Sequence, residues 1–164
     1  MRNILNWKRG AFSNTYHIFS GEEHLGELTD RTFRQISEGI IRQKKYQFRT
    51  KGLFKQETSI IDGDTHEPIG HITYNSMMTR ATIQYAGQSL SWKYDNRRQS
   101  RWSICDDSGI RIKFAGRSAR GSIEYENSDD LLVLTGLFVT NYYQQAMIAI
   151  FVAVFIPIWV SLFT

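Results

Sequence analysis

From Leu131 to Thr164 the chain carries no Lys, Arg, Asp or Glu, although its 20 basic and 16 acidic residues all lie at or before Asp130. So long an uncharged run has few ways to fold in water. It is either enclosed by protein or placed in lipid. Ser128, Asp129 and Asp130 precede it, and acidic or hydroxyl residues at that point cap a helix and complement its dipole. From Leu131 to Gln145 only a narrow stripe of Gly136, Thr140, Asn141, Gln144 and Gln145 is small or polar, so this helix has almost no wet face. Ala146 to Thr164 follows, broken mildly by Pro157 and Ser161, and spans about 28 Å at 1.5 Å per residue, close to the ~30 Å of a bilayer core. Together the halves reach about 51 Å, too long for one ordinary span. The expected division is therefore a central helix over 131–145 and a candidate transmembrane helix over 146–164. Asn141 to Gln145 reads as a polar and aromatic membrane boundary, with Trp159 as an anchor near the far side. Burial of both halves in a core or oligomer interface is the competing reading.

Ahead of this run the dominant period is two. Between Phe12 and Tyr125, apolar and polar residues alternate over short stretches bounded by turn residues, the pattern of half-buried strands. Ala81, Ile83 and Tyr85, then Ala86 and Gly87, then Leu90, Trp92 and Tyr94 read as a hairpin. Trp102 and Ile104, a turn at Asp106 to Gly109, then Ile110, Ile112 and Phe114 read as another. Further strands fall at 14–19, 24–29, 37–42, 45–50, 57–61, 68–74 and 118–125, with a short piece near 31–35. Eleven or twelve strands without crossover helices point to a closed antiparallel barrel or a sandwich. An internal repeat supports this. Ile18 to Gly21 followed by Leu25 to Thr29 is echoed by Ile60 to Gly63 followed by Ile69 to Thr73. The mid-strand Gly26 and Gly70 predict a bulge or a close backbone approach.

A dozen strands closed by one apolar helix entered through acids resembles the tubby C-terminal-like superfamily, which includes the phospholipid scramblases and the LURP-one-related proteins. The likeness rests on the strand-turn-strand units around Ser20, Gly21 and Asp62, Gly63, and on the helix from Asp129 to Val139. It implies a twelve-stranded barrel wrapped around the helix, one domain over residues 1–145, and an association with lipid. Ala146 to Thr164 extends past the family's expected end. No cysteine-rich palmitoylation stretch and no scramblase-type calcium loop is present.

The densest basic segment is Arg42, Lys44, Lys45, Arg49, Lys51 and Lys55, with no acid among them and Tyr46, Phe48 and Phe54 interleaved. Such a surface suits anionic lipid headgroups. A charged edge strand defended against aggregation accounts for the same residues. Asp62 to Glu67 lacks the order of a calcium loop and reads as a turn. The four histidines form no metal motif, Cys105 has no catalytic context, and no nucleophile elbow or phosphate loop occurs. Neither an enzyme nor a cofactor is expected. The net charge of +4 favours polyanions mildly, but a membrane tail would hold the body away from nucleic acid. With no apolar secretory core near Met1, the β domain is expected on the cytoplasmic side. The reading is a membrane-associated binding or scaffolding module that binds membrane lipids, with anionic headgroups or a protein partner as the ligand of its body. The alternative is a lipid-handling protein of scramblase type.

Overall fold

The computed structural model describes residues 2–31, 35–52, 55–117, 119–126 and 129–163. The strands are β1 (Asn3–Arg9), β2 (Thr15–Ser20), β3 (Glu23–Arg31), β4 (Ile36–Ile41), β5 (Lys44–Lys51) and β6 (Glu57–Asp62). They continue as β7 (Pro68–Tyr74), β8 (Arg80–Tyr85), β9 (Gln88–Tyr94), β10 (Arg101–Asp106), β11 (Gly109–Arg117) and β12 (Arg120–Tyr125), and α1 (Asp130–Phe163) follows. Each strand pairs antiparallel with its neighbours in sequence, and β1 pairs with β12 to close a barrel. Closure leaves no open ladder of N–H and C=O groups to recruit another chain.

The closing strand differs from expectation. Residues near 31–35 do not supply it: Arg31 ends β3, Gln35 lies at φ +53° before β4, and Thr32 to Arg34 lie outside the described residues. It is β1, where Leu5 and Trp7 point into the barrel while Asn6 and Lys8 point out. Ile4 is exposed and breaks the alternation.

The hairpins follow their turn chemistry. Ala86 and Gly87 both take positive φ, at +51° and +73°, as a two-residue turn that follows the strand twist requires. The repeat is structural as well. The β2–β3 register shifts between Ile18 and Phe19, and the β6–β7 register shifts between Ile60 and Ile61, at matching positions of the two copies. A Cβ at Gly26 would lie 2.2 Å from the carbonyl oxygen of Ile40, which is why that position is bare.

An eight-stranded barrel is filled by its own side chains, and diameter grows with strand number. Twelve strands leave room for a helix, which α1 supplies. Leu131 to Asn141 and Tyr143 are buried, packed on inward residues such as Phe48, Phe114 and Trp92. Thr135 and Thr140 bond back to the carbonyls of Leu131 and Gly136 at 2.8 and 2.9 Å, so their hydroxyls are satisfied inside the barrel. Gly136 allows the Phe114 ring to lie against the helix, since a Cβ there would come within 2.1 Å of the ring. The helix then continues without a break, through Pro157, and from Met147 to Phe163 every residue is exposed. Burial thus changes near residue 145 while the backbone does not.

Candidate functional site

The up-and-down order gives the barrel two distinct ends. α1 enters beside the turns that join β2 to β3, β4 to β5, β6 to β7, β8 to β9 and β10 to β11. It leaves beside the turns that join β1 to β2, β3 to β4, β5 to β6, β7 to β8, β9 to β10 and β11 to β12.

At the entry end two arginines clamp the helix start. Arg111 bonds Asp129 at 2.6 Å and Asp106 at 2.8 Å, and Arg42 lies 3.2 Å from Asp130 and donates to the Tyr125 hydroxyl at 3.3 Å. The Ser108 hydroxyl, then Arg111, hold the Asp106 carboxyl far below the usual carboxylate range. A carboxyl depressed on folding stabilises fully above its unfolded pKa of about 3.9 and loses that contribution as pH falls toward its folded value. The thermal midpoint of the detergent-solubilised protein is therefore expected to be flat in this respect from pH 7 to pH 5 and to fall below about pH 4. Asp106→Asn should fall less steeply over the same acid range. An identical acid profile would show that this clamp contributes nothing.

At the exit end a polar collar surrounds the helix. The Tyr16 hydroxyl accepts from Arg9 at 3.0 Å and donates to Asn141 Oδ1 at 3.3 Å. Asn141 Nδ2 donates to Asp30 at 2.8 Å, and Ser37 donates to the other oxygen of Asp30 at 3.0 Å. The Tyr142 hydroxyl bonds Gln56, and that of Tyr143 bonds the carbonyl of Arg80. Burial raises the pKa of Tyr16 despite Arg9, and pushes Tyr94 up to about 12, so both hydroxyls stay protonated at neutral pH. Asn141, Tyr142 and Tyr143 are thus partners of the barrel mouth, a role that the sequence pattern alone did not distinguish from a membrane boundary.

Two cavities flank the helix inside this collar. One, of about 200 Å³, is lined by Trp7, Tyr16, Arg98, Trp102, Arg117 and Gln144 among others, with no acidic residue in its wall. The buried indole N–H groups of Trp7 and Trp102, like that of Trp92 elsewhere in the core, find no acceptor among the described residues. The second, of about 220 Å³, lies on the Asp30 and Tyr142 side and reaches Ala149.

The six cations singled out from the sequence do not share one place. Arg42 is engaged in the entry clamp. Lys44 opens β5 at the entry end, on the parity of the inward Tyr46 and Phe48, whereas Lys45, Arg49 and Lys51 face outward. Arg49 donates to Gln47 at 3.1 Å. From Lys44 to Lys51 the strand climbs roughly 23 Å, so only Lys51 and Lys55 reach the exit end. Phe54 lies outside the described residues.

Strand pairing assembles one cluster with no linear motif. His17 Nδ1 lies 3.2 Å from His24 Nε2 and 3.6 Å from Glu27 Oε2, on the outer wall of β2 and β3. Two nitrogens on a tetrahedral zinc with bonds of about 2.0–2.1 Å would be separated by about 3.3 Å. A shared proton sets much the same distance. Hydrogen bonding and the ion pair therefore account for the cluster as it stands.

No protein-family model matches this chain, and no curated protein or solved structure matches it either.

Proposed function

We propose that the protein is a membrane-anchored, non-enzymatic binding module: a barrel held at a bilayer by the second half of its own core helix. One observation carries this reading. The same continuous helix is enclosed up to Tyr143 and fully exposed and uncharged from Met147 to Phe163. That exposed stretch is about 26 Å long, within the range of a spanning helix. Pro157 is tolerated in such spans, and Trp159, 63% exposed near the far end, suits the interface. An exposed apolar helix of this size has no favourable place in water. In this reading the barrel faces the cytoplasm, because its exit end is rich in arginine and positive charge stays inside. The architecture is the one that the tubby-like resemblance implies, and the kinship proposed is limited to that architecture and its association with lipid.

Membrane flotation after alkaline washing tests the anchor. The full chain is expected to float, and a chain ending at Gln145, which keeps every buried helix residue, is expected to stay at the bottom with near-UV circular dichroism typical of packed aromatics. A folded truncated barrel that still floats would show that the anchor lies elsewhere.

A further inference from the structure

We propose that the exit face of the barrel is a seat for anionic lipid headgroups of the leaflet that α1 enters, with the cavity beside Arg98 and Arg117 as its phosphate site. This rests on the anchor reading above and deepens it.

The barrel separates charge along its axis. Among the described turns and the strand residues that flank them, the entry end carries Glu22, Glu23, Asp62, Asp64, Glu67, Asp106 and Asp107 against Arg42 and Lys44, whereas the exit end carries Arg97, Arg98, Arg101, Arg117 and Arg120 among its cations against Asp95 and Glu57. All five of these arginines are exposed, and none makes an ion pair with a described residue. Cross-strand pairing makes the concentration sharper. Lys8 lies opposite Arg120, and Arg120 lies opposite Arg117, so three cations occupy one row across β1, β12 and β11. Like charges placed directly opposite are unfavourable in a sheet. Arg80 opposite Lys93 repeats the arrangement farther round the mouth. Lys8 places its ammonium over the Phe19 ring, 5.6 Å from the centroid, and an anion held at this end would relieve the repulsion left between Arg117 and Arg120.

The cavity adds a built site. Its wall holds two guanidinium groups, Gln144 from the helix, and the two tryptophans Trp7 and Trp102. Guanidinium groups that make no ion pair are the complement of a phosphate oxygen. At about 200 Å³ it is smaller than the roughly 300–1,000 Å³ that encloses a drug-sized molecule, and so suits a headgroup and not an acyl chain. The same end carries Phe12, 103% exposed, on the β1–β2 turn and Met77, 76% exposed, on the β7–β8 turn across the mouth from it. Apolar tips among cations fit an interface with lipid. Because the helix leaves through this mouth, entering the bilayer brings the cations to the headgroups without any further motion.

The test uses the full chain in lipid nanodiscs of phosphatidylcholine alone or with phosphatidylserine, read by hydrogen exchange. Phosphatidylserine is expected to slow exchange in segments 95–101 and 117–120 by roughly fivefold, the factor that one cation near an anionic surface supplies. The entry turns at 62–67 and 106–109 should not change. Arg98→Gln with Arg117→Gln should abolish the effect, and Lys44→Gln with Lys113→Gln, which removes the same charge elsewhere, should keep it. Equal exchange in both lipids overturns the seat while leaving the anchor standing. Protection by inorganic phosphate in phosphatidylcholine discs, equal to that by phosphatidylserine, overturns the lipid assignment in favour of a free anion site. A chain that does not enter phosphatidylcholine discs at all overturns the anchor and the seat together.

Discussion

Phe138→Ala is expected to destabilise the barrel by about 3–5 kcal/mol, while Phe151→Ala, the same change on the same helix, should leave it within about 0.5 kcal/mol. Phe138 is 4% exposed and its ring stacks on Phe48 at 4.5 Å with 10° between the planes. Phe48 comes from β5, on the barrel wall. Deleting the Phe138 ring leaves a cavity between the helix and a closed sheet that has little freedom to collapse around it, the circumstance that makes core truncations most costly. Phe151 stacks only on Phe155 of its own helix, at 4.3 Å, and is 59% exposed. Chemical denaturation of the detergent-solubilised full chain, followed by near-UV circular dichroism, measures both. Equal effects at the two positions would mean that the helix does not change environment near residue 145.

That change of environment was legible from local chemistry. Polar residues recur in the first half and almost vanish in the second, and acids mark the entrance. The strands were legible for a related reason, since a period of two is written wherever one face meets a core. β1 escaped because its evidence is long-range. Leu5 and Trp7 are its inward pair, Ile4 points outward, and the barrel closes through partners more than a hundred residues away in β12.

The candidate site was less legible. A sequence window finds charges that are close along the chain, and so it found Arg42 to Lys55. A strand carries such charges up the wall of a barrel instead of gathering them at one height. The meander does the opposite for residues far apart in sequence: Arg98 and Arg117 belong to different turns and strands and line one cavity at the mouth. The rule that cations flank a span on its cytoplasmic side is usually checked along the chain. Here no charged residue lies within the helix after Asp130, and the cations that would flank the proposed span are brought to its side by folding. The trio of His17, His24 and Glu27 escaped detection in the same way, because pairing of β2 with β3 creates it.

Phe155→Arg combined with Ile156→Arg is expected to abolish membrane insertion while leaving the barrel intact. Both residues are exposed, at 43% and 56%, and they lie near the middle of the stretch from Met147 to Phe163. An arginine at the centre of a spanning helix costs about 2.5–3.5 kcal/mol, so the pair adds about 5–7 kcal/mol to insertion. Both side chains are exposed, and barrel stability should stay within about 0.5 kcal/mol. The paired readouts separate two physical accounts of one apolar surface. A span predicts that the double variant leaves the floating fraction and becomes soluble, with its aromatic circular dichroism unchanged. A helix that instead packs against another copy of itself in water predicts a wild-type chain that does not float and a double variant that changes only from oligomer to monomer on sizing. Placing Phe138→Arg beside them completes the contrast: at that position the same charge meets the closed interior of the barrel, and the fold should fail before insertion is tested.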